Sequence, residues 1–132
     1  MQVNWDTNDH RPPDHGENLQ RIADSLPQQN DFQNVSELLK QLSDPSRSRI
    51  YWVLCHCEEC VINIAAMVDM SSPAVSHHLR QLKTGGLIVS RRKGKEVYYR
   101  AADTEQAQAL HHMIERMITL TCPTEEDLHD HD

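Results

Sequence analysis

Two stretches of this chain write a helix start in the same way, an oxygen-bearing side chain followed by proline: Asp44-Pro45 and Ser72-Pro73. The oxygen can accept from a free amide of the first turn, and a proline at the first helical position gives up no hydrogen bond. Behind the first start, Ile50, Val53 and Leu54 supply an inner face; behind the second, Val75, Leu79 and Leu82 do. Between them Val61 to Val68 reads as a short buried helix and Asp69 to Ser72 as a tight turn, while Gly85-Gly86 stops the second capped helix. Leu87 to Ser90 and Glu96 to Tyr99 are then β-prone runs around Arg91-Arg92-Lys93-Gly94-Lys95, which predicts a hairpin with a cationic tip. The expected order is therefore helix, tight turn, capped helix, β-hairpin, in a mainly α fold.

Further helices flank this unit. Val35, Leu38, Leu39 and Leu42 recur at helical spacing in a helix predicted to end near Ser43. From Asp103 a last helix is predicted, with Gln106 placed for a capping box and a stripe of Ala107, Leu110, Ile114, Met117 and Ile118. So much apolar surface late in a chain of 132 residues predicts a homodimer sealed through terminal helices. Met67, Met70, Met113 and Met117 are read as core. Residues 1–31 are expected to form a flexible arm with a short helix over Glu17 to Leu26, residues 32–122 the functional domain, and residues 123–132 an acidic disordered tail. No run of eighteen apolar residues occurs, and Asp6 and Asp9 stand where a signal peptide is cationic, so the expectation is a cytoplasmic protein with no membrane partner.

Charge is distributed unevenly. Residues 72–100 hold seven of the thirteen Lys and Arg but one of the twenty acids, so this island nets +6 while the rest nets −13. A local field of that kind holds a polyanion even on an acidic chain. A helix fits the major groove of a DNA duplex, with a basic hairpin gripping the flanking backbone. Ser72, Ser76, His77, Arg80, Gln81 and Lys83 have the chemistry for bases or phosphates, and Arg91, Arg92, Lys93 and Lys95 for phosphates. A merely solvated cationic face explains neither the capping nor the order of elements.

The four cysteines, Cys55, Cys57, Cys60 and Cys122, point to thiolate chemistry rather than a disulfide framework, because three of them fall within six residues of an intracellular chain. Thiolates favour soft ions such as Cd(II), Pb(II), As(III), Cu(I) or Zn(II). Cys57 and Cys60 share a face at i, i+3, or turn together if the helix ends by His56, whereas Cys55 and Cys57 point apart on a continuous helix. A zinc-thiolate protein-interaction module that never meets DNA is the rival from another class. An enzyme is not expected: no Ser-His-Asp order, glycine-rich phosphate loop or paired catalytic carboxylates occur in a recognisable context.

Leu42 to Asp103 resembles the ArsR/SmtB family of winged-helix repressors, through LSDPSRSRI, EECVINIA, SSPAVSHHLRQLKTGGLI and RRKGKEVYYRAAD. The resemblance implies a winged helix-turn-helix homodimer that binds an operator palindrome in double-stranded DNA and is released by an inducer, commonly a metal ion. Some members hold metal across the dimer through an Asp and a His two residues apart, with a His-x-x-Glu on the partner. Asp103 matches, but Glu105 stands in the His position and the second pair falls on Arg116 and Thr119; His112 and Glu115 have the spacing one turn early. A displacement of about 6 Å along a helix is large beside a metal–ligand bond of about 2 Å, so that site is not expected here. Another branch uses Glu-Leu-Cys-x-Cys; here EECVI keeps Cys60, and Ile62 replaces the second thiol. A third branch senses persulfides or oxidants, which implies Cys55 with Cys122 as the alternative sensor. The reading is a repressor released when a soft metal ion binds the cysteines.

Overall fold

The computed structural model describes residues 15–122, which fall into two compact units meeting at Val35/Ser36. The first unit carries α1 (His15–Ser25), where a short helix was expected, and the opening turns of α2 (Gln29–Gln41). The predicted acidic tail and residues 1–14 of the arm lie outside the described residues. Within the second unit the remainder of α2 is followed by α3 (Pro45–His56), β1 (Glu59–Cys60), α4 (Val61–Val68), α5 (Ser72–Thr84), β2 (Ile88–Lys93), β3 (Glu96–Ala101) and α6 (Glu105–Thr121). This is a winged helix-turn-helix, mainly α with a small antiparallel sheet.

The helix starts follow local chemistry, with two corrections. Asp44 caps α3 as predicted, its carboxylate accepting from Arg47 N at 3.0 Å with Pro45 at the first helical position. The cap of α5 is Ser71 rather than Ser72, its Oγ accepting from Ala74 N at 3.2 Å. Adjacent serines make the register invisible to sequence. Thr104 rather than Asp103 caps α6, accepting from Ala107 N at 3.1 Å, and Asp103 instead accepts from the Gln108 side chain. The turn between α4 and α5 puts Asp69 in the left-handed region at φ 55°, a conformation that Asp tolerates better than most residues.

Gly85-Gly86 ends α5 through paired hydrogen bonds, Gly86 N to Lys83 O and Leu87 N to Leu82 O, both 3.0 Å. Gly86 sits at φ 79°, where a Cβ would be strained, and the chain leaves the helix with Leu82 and Leu87 both buried. The hairpin is longer than predicted. Arg91, Arg92 and Lys93 belong to β2, Lys93 pairs with Glu96, and the loop shrinks to Gly94-Lys95 with Gly94 at φ 67°, the type II′ pattern. The sheet order is β1-β3-β2, because Glu59 and Cys60 pair with Tyr99 and Tyr98. A two-residue strand has too little periodicity to be read from sequence.

The core joins Ile50, Tyr51 and Leu54 of α3, Ile64, Ala65 and Val68 of α4, Val75, Leu79 and Leu82 of α5, then Leu87, Ile88, Ala102, Ala107 and Leu110. Tyr51 is wholly enclosed, and its hydroxyl donates to Ala107 O at 2.6 Å, so no polar atom is stranded there. Other predicted core positions are not enclosed. Val35, Leu39, Met67, Met113, Met117 and Ile118 are exposed, while Leu38, Leu42, Met70 and Ile114 pack against the core from outside. Helical spacing identifies an apolar stripe but not which part of it the same chain covers.

Leu79→Ala is expected to lower unfolding stability by about 2–5 kcal/mol, whereas Ile62→Ala, at a 63% exposed position, changes it by less than about 0.5 kcal/mol. Urea melts of both variants check the contrast.

Candidate nucleic-acid interface

Helix α5 has two distinct sides. Burial of Val75, Leu79 and Leu82 leaves Ser72, His77, Arg80 and Lys83 exposed, with Ser76 and Gln81 half-buried between the two rows. The Lys83 ammonium donates to Ser90 Oγ at 2.6 Å, tying the end of α5 to the first strand of the hairpin. The cationic end of α5 is thus joined to the cationic hairpin.

The cations of α5 and the hairpin are not equivalent. Arg91 lies against Glu58, with Nη2 to Oε1 at 2.6 Å and Nε to both oxygens at 2.9 and 3.0 Å. Arg100 approaches the same carboxylate at 3.8 Å. The Arg91 guanidinium holds the Glu58 carboxyl below the usual carboxylate range. Lys93 lies 5.6 Å from the Tyr98 ring centroid, a cation–π distance. Among the described residues no carboxylate lies within salt-bridge distance of Arg80, Lys83, Arg92 or Lys95. These four can neutralise phosphates without first giving up an ion pair.

His78 has a structural part rather than a contact role. Arg47 Nε donates to its Nδ1 at 3.4 Å, and Asp44 Oδ1 stands 4.0 Å from its Nε2, so the start of α3 is joined to the middle of α5. Burial lowers the His78 pKa below the usual imidazole value, outweighing the Asp44 charge.

The cysteines stand in four different environments. Cys55 is half-buried on α3, and burial pushes its thiol up to about 11, with the Glu115 charge acting in the same direction. Cys57 follows the end of α3 in extended backbone, its thiol donating to Val53 O at 3.4 Å. Partial desolvation and then the Glu59 carboxylate raise the Cys57 thiol. Cys60 is buried at the start of α4, and Cys122 is exposed after α6. Among the described residues no three of these thiols of one protomer come together. Desolvation at Cys55 disfavours the thiolate, the form in which a cysteine acts as nucleophile or metal ligand.

A different cluster does form. His56 Nε2 and His111 Nε2 both meet Glu115 Oε1, at 3.0 and 3.1 Å, and the three ligand atoms lie within 4.8 Å of one another. His111 and Glu115 are one turn apart on α6, so this half was available from their i, i+4 spacing. His56 arrives from the end of α3, which no local pattern announces. His112, which has the His-x-x-Glu spacing with Glu115, is exposed and stands outside this cluster.

Comparison with known proteins bears on the fold and the family. Residues 44–90 match the family described as bacterial regulatory protein, arsR family. A transcriptional repressor SmtB homolog of Synechocystis sp. is 37% identical over 93 residues, 70% of each chain. A cadmium resistance transcriptional regulatory protein CadC homolog of Staphylococcus aureus is 37% identical over 95 residues, covering 71% of this chain and 78% of the relative. Among solved structures, a homodimeric winged helix-turn-helix DNA-binding domain from Mycobacterium bovis superposes with a TM-score of 0.61 at 30% identity, over 69% of this chain and 83% of the other.

The depressed His78 pKa stabilises the fold above the unfolded imidazole value, and that contribution is lost as pH falls through the folded one. His78→Gln is therefore expected to lose less stability than the parent between neutral and mildly acidic pH. Urea midpoints at the two pH values measure the difference.

Proposed function

The chain belongs to the ArsR family of bacterial regulatory proteins, and from that premise we propose that it is a cytoplasmic homodimeric repressor that binds an operator in double-stranded DNA and is released by a metal ion. The observation that carries the DNA reading is the two-sided burial of α5, which holds Ser72, His77, Arg80 and Lys83 outward beside the wing. In this reading the first turns of α5 enter the major groove while Arg92 and Lys95 grip the flanking phosphates, with Arg91 and Lys93 adding to them as they leave Glu58 and Tyr98. Family membership supports this reading over the zinc-thiolate interaction module.

The homodimer is supported by what one protomer leaves uncovered. Leu39, Leu42, Pro45, Trp52, Met113 and Met117 line an open apolar groove of about 530 Å³ between α2, α3 and α6. Exposed Met117, Ile118 and Leu120 continue the apolar face of α6. A second copy covers this surface, pairing two reading helices as a palindromic operator requires.

The inducer in this proposal is a soft ion of the Cd, Pb, Zn, As or Cu(I) class, with ligands drawn from Cys55, Cys57, Cys60 and Cys122. The cadmium-resistance role in the name of the Staphylococcus aureus relative supports the ion class. Exposed Cys57 and Cys122 are the accessible thiols. Since no three thiols of one described protomer meet, ligands from both subunits complete the site.

The double change Arg92→Ala/Lys95→Ala is expected to weaken binding to any duplex and to flatten its salt dependence by about two in log–log slope. Arg80→Ala should cost about 1–3 kcal/mol, mainly on the cognate sequence. Fluorescence anisotropy across a salt series measures both, and wild-type slopes in the double variant would remove the wing from the interface. For the inducer, Cys57→Ser is expected to bind DNA as the parent does and no longer be released by Cd(II). Thiolate-to-metal absorbance that survives the change would place the site elsewhere.

A further inference from the structure

We propose that His56, His111 and Glu115 form a second metal site, independent of the cysteines, which takes one divalent ion of the borderline class, Zn(II), Co(II) or Ni(II). The inference concerns metal binding alone and does not rest on the DNA reading.

The geometry comes close to what such an ion requires. Zinc holds imidazole nitrogen and carboxylate oxygen at about 2.0–2.1 Å, so tetrahedral ligand atoms stand about 3.3 Å apart. Both imidazole-to-carboxylate separations are already near that, at 3.0 and 3.1 Å, and the remaining edge is within 4.8 Å. Small side-chain rotations bring the three atoms around one centre. Two imidazoles with a carboxylate suit borderline ions better than the thiophilic ones that cysteines select. Three protein ligands leave a fourth position for water.

The surroundings are those of a supported and reachable site. The Trp52 ring lies 4.1 Å from the His56 ring, and the His56 and His111 rings meet edge to face at 5.0 Å, so both imidazoles are held in orientation. The side chains of His56, His111 and Glu115 are 44%, 26% and 42% exposed, so an ion can enter from solvent.

An ion at this site clamps the last residue of α3 to the middle of α6. Without an ion these elements are joined here by two hydrogen bonds to a single carboxylate oxygen, whereas a metal joins them through two ligands on one helix and one on the other. Trp52 also lines the apolar groove between α3 and α6, so the clamp and the groove share a side chain.

Titration of the full chain, reduced and carrying Trp5→Phe, with Co(II) tests the proposal by ligand-field absorption and by quenching of Trp52. The expected result is saturation at one ion per protomer in a species without thiolate-to-cobalt charge transfer, retained in Cys57→Ser/Cys122→Ser and in His129→Ala/His131→Ala. Loss of an outer-shell partner alone weakens metal sites by about 10- to 100-fold. His56→Gln, His111→Gln and Glu115→Gln should therefore each weaken Co(II) by at least about tenfold, while His112→Gln leaves it unchanged. Wild-type affinity in the three site variants would overturn the proposal, as would loss of binding in the tail variant or charge transfer that disappears with the cysteines. In the Cys57→Ser/Cys122→Ser background, Zn(II) should raise the melting temperature and fail to do so once Glu115→Gln is added; equal shifts with and without Glu115→Gln would also overturn it.

Discussion

The placement of the cations on α5 and of the wing behind them depends on the enclosure of one row of α5. Val75, Leu79 and Leu82 are buried to 1% exposure or less between α3 and α4. Side chains on a helix are rigidly related, so seating this row determines where Arg80 and Lys83 point. The paired hydrogen bonds at Gly86 carry the same certainty forward, because they deliver Leu87 and Ile88 into the core and so anchor the base of the wing. The cationic strand residues then project from a rigid root rather than from a loose loop.

Within the basic island, electrostatics sorts residues that composition treats alike. Glu58 lies outside the island in sequence but beside it in space, and it engages Arg91 with two hydrogen-bonding nitrogens. Arg91 is thus held by a carboxylate, while among the described residues Arg92 has no carboxylate within salt-bridge distance. His78, next in sequence to exposed His77, spends its ring on Arg47 and Asp44. Adjacent histidines on one helix thus belong to the fold and to the surface respectively.

The metal-donor groups divide along similar lines. Thiols lie at the end of α3, the start of α4 and beyond α6, each with its own degree of burial, whereas the two imidazoles and the carboxylate converge. Thiolates favour soft ions such as Cd(II), and imidazole with carboxylate favours borderline ones such as Co(II) and Ni(II), while Zn(II) suits both donor sets. A family whose members respond to several metals can host both kinds of donor on one scaffold, because α3 and α6 bring different residues together at each turn.

The order of elements, the Asp44 cap, the inner rows of α3 and α5 and the cationic hairpin were all legible in the residues, because caps, periodicity and turn glycines act over a few positions. The choice of Ser71 over Ser72 and the extension of β2 through Lys93 were not, since neighbouring registers have nearly equal local energies and packing decides between them. The same holds for β1, which exists only by pairing with β3. Local sequence also determined that α6 has an apolar stripe and that His111 and Glu115 share a face. Tertiary structure alone decided which apolar residues the protomer covers, that Glu58 restrains Arg91, and that His56 completes a cluster with α6. Those outcomes depend on where two distant helices cross, and a crossing is set by the packing of the whole core rather than by any segment of it.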